Sequence, residues 1–212
     1  MNKIRLYIPL VITVIGGFVI GILAMLKLWA EPFGASKILA CMVVIIYFLW
    51  KILESKITVS ETTKGENNDK GTVEMCAAVE IGLLVSVFAY SKNVWLPSAI
   101  AGLILIATGL LIRFAAIAAL DDGYSLRIRE IKNKVVKAGP YRLIRHPSYL
   151  GTVIVHTGLV FVFPGILPMI LLVAWYAAVF VRAATEDKFL MKNKDYKIYS
   201  KQTSRMLFPG LY

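Results

Sequence analysis

Residues 159–172 read LVFVFPGILPMILL, two apolar runs joined through Pro164, Gly165 and Pro168. They lie inside an apolar block covering residues 150–181, longer than the roughly 20 residues that one simple span needs. Proline removes a backbone donor and clashes with the preceding helical turn, so a single straight helix through this stretch is disfavoured. The reading is a helical hairpin that dips into the bilayer and turns back, with its backbone groups satisfied inside its own helices. The segments before and after such a hairpin share one side of the membrane.

Outward from the hairpin, the 212 residues are 58% hydrophobic with mean hydropathy +0.70, well beyond an average soluble domain. Four further apolar blocks are long enough to cross as helices: residues 7–26, 38–53, 73–90 and 96–120, the second being the shortest. The expected fold is all-α: a polytopic integral membrane bundle forming one domain over 1–212. Residues 1–120 supply four spanning helices, and 121–212 supply a loop, the hairpin and a tail.

Charge tests the arrangement. With a hairpin, all but four of the 24 Lys and Arg residues fall on one side; Lys27, Lys37 and Lys92 face the other, and Arg113 lies within the fourth span. A single fifth span would send the basic tail to the poor side. The rich side is expected to be cytoplasmic, with both termini there. A net charge of +11 raises the possibility of nucleic acid, but the basic residues flank the spans, which points to anionic headgroups. No small-x-small cleavage site follows the first apolar block, so it reads as a retained anchor. Cys41 and Cys76 both fall in spans and make no disulfide framework.

Residues 54–71, ESKITVSETTKGENNDKG, are the one plainly polar stretch and read as a mobile connector without chemistry. Gly17 and Gly21 form a small-xxx-small pair, a helix-packing signal. Glu80 and Arg113 are ionisable residues placed at similar depth, roughly 10 Å into the membrane at 1.5 Å per residue, and are expected to pair. The densest polar clusters, 121–149 and 182–205, meet on the basic side if the hairpin forms. There is no phosphate-binding glycine loop, no G-x-S-x-G and no H-E-x-x-H. With only His146 and His156 and both cysteines in spans, no transition-metal site is expected.

Two elements remain: GPYRLIRHPSYLG at 139–151, and RAATEDKFLMKNKDYKIYSKQTSRMLFP at 182–209. Pro147 disfavours helix at His146, so a helix should begin near Ser148, whose hydroxyl is able to cap free backbone N–H groups. Arg182 and Glu186, four apart, share one helical face. His156, two turns beyond Tyr149, reads as a buried structural histidine. Tyr196, Tyr199 and Arg205 are expected to fix the tail to the membrane surface, and Phe208 and Pro209 to close over the site.

In their order around a hairpin, these elements resemble the isoprenylcysteine carboxyl methyltransferase family and its prokaryotic and phospholipid-methyltransferase relatives. The likeness covers about residues 109–209. It implies a prokaryotic cell membrane location, S-adenosylmethionine (S-adenosyl-L-methionine) bound without a Rossmann domain, and a lipophilic substrate entering from the bilayer. Carried over by position, Tyr141, His146, Pro147, Ser148 and Tyr149 would hold the cofactor, Asn133, Lys134, Val135 and Val136 would lie along its adenosine end, and Glu186 would also contact it. Arg182 would face the methyl acceptor. A methionine carboxylate would suit the helix start, with Arg142 or Arg145 neutralising it. Asp187 stands where the family usually has a second glutamate, and LDDG at 120–123 where it often has Leu-Gly. The acceptor expected is the carboxylate of a prenylcysteine-like or isoprenoid compound; a phospholipid amine is the alternative. A sterol-type NADPH-dependent reductase and a non-catalytic membrane scaffold are the competing classes.

Overall fold

The computed structural model describes residues 3–62, 68–125, 127–131 and 134–207. Among them are seven α-helices: α1 (Lys3–Ala30), α2 (Ala35–Thr62), α3 (Thr72–Tyr90), α4 (Leu96–Leu120), α5 (Pro147–Val162), α6 (Ile166–Leu190) and α7 (Lys194–Gln202). Single 3-10 turns occupy Asp121–Gly123 and Gly139–Arg142. Proline opens α4 and α5 at positions whose N–H groups have no helical partner anyway. Asn193 caps α7, its side-chain oxygen accepting from the N–H groups of Asp195 and Tyr196 at 2.9 and 3.1 Å.

Four described helical stretches are long and apolar enough to cross a membrane: 35–54 within α2, all of α3, all of α4 and all of α6. Large apolar side chains such as Ile45, Leu111, Ile170 and Val173 point outward, which suits hydrocarbon and not water. This is a polytopic helical membrane protein.

The chain breaks at Phe163–Gly165, where the prolines and glycine predict, and α5 and α6 form the hairpin. It is deeper than a dip. The Lys92 N–H, in the α3–α4 turn, donates to the Pro164 carbonyl at 2.7 Å, so the tip reaches the far end of α3 and α4. Both ends of the hairpin return to the end where α4 finishes and α3 begins.

Helix α5 is the buried centre, packed on α4, α6 and α2. Its antiparallel seam with α4 is built from glycine: a Cβ on Gly109 would lie 2.6 Å from the Gly151 carbonyl oxygen, and one on Gly102 2.5 Å from that of Gly158. The backbones approach too closely for any side chain, the arrangement small residues permit in membranes. Among the described residues the packing expected at Gly17 and Gly21 is not seen; a Cβ on either meets no described atom within 4 Å. The glycines that matter are seven apart on two different helices running in opposite directions.

Glu80 and Arg113 do not pair. Helix α2 continues past residue 53, so Lys51 and Glu54, expected at or beyond the end of the span, are carried into the bundle. Lys51 pairs with Glu80, and Glu54 with Arg113. Glu80 Oε1 also meets His156 Nε2 at 3.0 Å and accepts from the Tyr47 hydroxyl at 3.1 Å. His156 is 0% exposed; its Nδ1 lies 2.9 Å from the Thr152 carbonyl and its ring rests 4.8 Å from that of Trp175. Each buried ion therefore has a nearer partner than the one expected.

Candidate functional site

The site forms where α5 begins, α6 ends and α3 begins. Pro147 starts α5 one residue earlier than expected, with His146 as its flanking residue, and among the described residues no side chain caps the first turn. Ser148 does not cap. Its hydroxyl and its carbonyl both accept from Arg113 Nη1 at 3.0 Å, while Arg113 Nη2 donates to the Tyr124 hydroxyl at 3.2 Å. The α5 start therefore retains backbone donors that no side chain of the described residues takes.

The hairpin brings the two expected elements together. His146 is buried, with Nε2 3.4 Å from Asp187 Oδ1 and Nδ1 3.8 Å from Glu186 Oε2. The Tyr149 hydroxyl donates to Glu186 Oε2 at 2.7 Å and accepts from Arg182 Nε at 3.2 Å. Tyr149, Arg182 and Glu186 are thus one hydrogen-bonded unit drawn from two helices.

Asp187 looks the other way and fastens the tail. It accepts from the Tyr196 hydroxyl at 2.7 Å, and Arg145 Nε lies 3.1 Å from it. Arg145 also reaches the Ser200 and Thr203 carbonyls, so it is committed to the tail and not to a bound anion as expected; Arg142 is exposed. The N–H groups of Arg145 and His146 donate to the carbonyls of Arg205 and Met206 at 3.0 Å, strapping the chain end across the loop.

Tyr141 is buried in a small cluster with Ala116, Tyr196 and Tyr199, against which Val135 and Val136 pack; Lys134 is exposed. The Tyr199 hydroxyl donates to the Tyr141 carbonyl at 2.6 Å. Tyr196 and Tyr199 therefore hold the tail from inside, not at the membrane surface as expected. Burial pushes the phenols of Tyr141 and Tyr196 well above their ordinary value, helped by the Glu186 and Asp187 carboxylates respectively, and pushes Tyr199 up to about 12. All three stay neutral hydrogen-bond donors at physiological pH. Asn133, Phe208 and Pro209 lie outside the described residues.

The connector was expected to be mobile and to carry no chemistry; its end packs against Arg182. Asp69, 0% exposed, pairs through Oδ1 with Arg182 Nη1, and the same oxygen accepts from the Ile128 N–H at 2.8 Å. Its Oδ2 accepts from Arg127 Nη1 at 3.1 Å. Thr72 Oγ1 also accepts from Arg182 Nη1, at 2.9 Å. Sequence reasoning missed Asp69, Thr72 and Glu54; the available signal was that buried arginines at 113 and 182 require acids, and the connector is where unassigned acids lie.

Among the described residues no three His, Cys, Asp or Glu side chains are grouped as metal ligands would be. The arrangement offers polar and charged groups at the rim of an apolar bundle: a partly exposed carboxylate on Glu186, a neutral phenol, an uncapped helix start and an apolar tyrosine-valine wall. It suits a charged ligand beside a lipidic one. A search of curated proteins found no match. Residues 97–201, from α4 through α7, match the family model for phospholipid methyltransferase. That match takes in Arg113, the RHP loop, the hairpin, Arg182, Glu186 and both tail tyrosines, and makes this segment, just under half of the chain, similar to the phospholipid methyltransferase family, part of the isoprenylcysteine carboxyl methyltransferase-like group of membrane methyltransferases.

Proposed function

We propose that the protein transfers the methyl group of S-adenosylmethionine to the polar head of a lipophilic acceptor that arrives from the bilayer, at the end of the bundle that the charge bias makes cytoplasmic. The residues fit that cofactor. The α5 start, with no side-chain cap, offers backbone N–H groups to a carboxylate; Glu186, its side chain 24% exposed, offers a negative charge to a sulfonium; Val135, Val136 and Tyr141 offer an apolar wall to adenosine. Bound there, the cofactor supplies an electrophilic methyl group on positively charged sulfur.

The observation that carries the reading is the Tyr149–Arg182–Glu186 unit beside His146. Methyl transfer needs in-line approach, with reacting atoms about 3–3.5 Å apart, and exclusion of water. Arg182 and Tyr149 are the orienting groups. A carboxylate acceptor, the class favoured from sequence, would need Arg182 for itself, but that guanidinium is already paired with the buried Asp69. This pairing supports an amine-bearing lipid instead. Glu186 Oε2 would accept the proton that an ammonium head must lose before its nitrogen is a nucleophile, while Arg182 and Tyr149 would orient that head toward the bound cofactor.

Labelled methyl transfer in vesicles tests this. Label is expected in aminophospholipids, and the cofactor or its demethylated product should raise the melting temperature in detergent, whereas NADPH should not. Absence of label from every lipid, together with no stabilisation by either compound, would overturn the proposal.

A further inference from the structure

Asp69 lies outside the segment that matches the family model, on the short turn that leads into α3. Lys70 and Gly71 both take left-handed backbone, φ 50° and 78°, and this reversal lets the Asp69 carbonyl accept from the Thr72 N–H and hydroxyl at 2.9 and 2.7 Å. The carboxylate is left pointing at Arg182. An isolated buried carboxylate costs several kcal/mol, so an acid at 0% exposure is retained with a cation or not at all.

Among the described residues two cations touch Asp69, and they differ. Arg127 has a second acid, Glu74, at 3.2 Å on the outside, and is balanced without Asp69. Arg182 shares Nη1 between Asp69 and Thr72 and sends Nε to Tyr149, facing the unit that contains Glu186. With Asp69 in place the charge of Arg182 is cancelled, and Glu186 sets the sign of the layer.

We infer that Asp69 determines acceptor specificity: by neutralising Arg182 it makes the site prefer a positively charged acceptor head over an anionic one. This rests on the proposed reading that Arg182 faces the acceptor. It assigns the choice of acceptor to the connector, not to the half of the chain that carries the family's elements.

The test is competition. Full-length protein in vesicles containing both an aminophospholipid and a long-chain isoprenoid acid is given labelled cofactor, and label is counted in each product. Asp69→Asn preserves shape and the acceptor oxygen for the Ile128 N–H while removing the charge. The amine-to-carboxylate ratio should fall by about tenfold or more, as expected for one uncompensated charge a few ångströms from the acceptor. Arg127→Gln, which removes the other cation on Asp69, should change the ratio by less than about twofold. Cofactor-induced stabilisation should survive in both variants. An unaltered ratio in Asp69→Asn, or an equal fall in both products together with loss of cofactor stabilisation, overturns the inference. If Asp69→Asn does not accumulate, Asp69→Ser with added formate replaces it; formate should return the ratio toward wild type, and no response overturns the idea. Failure of the wild type to label any lipid would count against the proposed function, a separate result.

Discussion

The two arginines buried in the second half, Arg113 on α4 and Arg182 on α6, make an instructive pair. Each is matched by an acid from the first half, Glu54 on α2 and Asp69 before α3. Arg113 spends its remaining donors on Ser148, Thr152 and Tyr124, and its guanidinium lies over the Trp50 ring at 5.7 Å, a ring that Lys51 also approaches at 4.6 Å. Those partners lie on α2, on α5 and on the loop that follows α4. Arg182 spends its Nε on Tyr149, which in turn holds Glu186. One arginine ties helices together; the other holds a site in shape. The family-matched half supplies the cations and the unmatched half their counter-ions.

The sharpest way to break this comparison is Glu54→Gln. It leaves Arg113 buried against a neutral partner, and breaking a buried ion pair of this kind costs about 3–5 kcal/mol. Thermal or chemical denaturation in detergent should show a large loss of stability, with cofactor binding declining only in proportion to the folded fraction. If stability is unchanged and cofactor binding alone is lost, Arg113 belongs to the site and the contrast with Arg182 is wrong.

Next in size is the α4–α5 seam that carries Arg113 to Ser148. A methyl group on Gly109 would lie 2.6 Å from the Gly151 carbonyl oxygen and 2.8 Å from the Val155 backbone nitrogen. Gly109→Ala must spread the helices, at a cost of about 1–3 kcal/mol. Gly17→Ala, whose methyl meets no atom of the described residues within 4 Å, is the control and should leave stability unchanged. Equal effects at the two positions would remove the seam as the element that fixes the site.

Tyr149→Phe sharpens the other side of the comparison. It deletes the hydroxyl between Arg182 and Glu186 while leaving Asp69 on Arg182. The expected result is a fall in methyl transfer of about tenfold to a hundredfold with the fold intact, typical of losing one orienting or proton-handling group. Transfer at wild-type rate would mean that Arg182 and Glu186 act separately.

What could be read in the sequence follows from how local the determinants are. The hairpin was legible because Pro164, Gly165 and Pro168 act on their own backbone. The Tyr149–Glu186 meeting was legible because the hairpin forces the two ends together. Asp69 was hidden because its composition-poor neighbourhood looks like solvated linker, and its partner lies 113 residues away. The Glu80–Arg113 pairing failed for a related reason: equal depth was used in place of contact, and the extension of α2 that brings in Lys51 and Glu54 leaves no apolar trace. Hydropathy reports which helices enter the bilayer, but not which faces of them meet.

The smallest expected effect concerns the tail, where Tyr199 holds Tyr141 in the loop that the hairpin positions. Tyr199→Phe removes one buried hydroxyl–carbonyl bond of 2.6 Å and should cost about 1 kcal/mol. Its pH dependence has a definite sign. Burial raises the folded phenol from its ordinary 10.0 to about 12, so the folded state binds that proton more tightly than the unfolded chain does. The corresponding stability is fully present below pH 10.0 and is lost as pH rises toward about 12. Tyr141 and Tyr196 are raised in the same direction and lose their contributions in the alkaline range too. The wild type should therefore unfold more readily as pH climbs through this window, and Tyr199→Phe should show a shallower decline across it. A variant that declines as steeply as the wild type would place Tyr199 in contact with water, and the tail would then rest on the loop without being bound through its phenols.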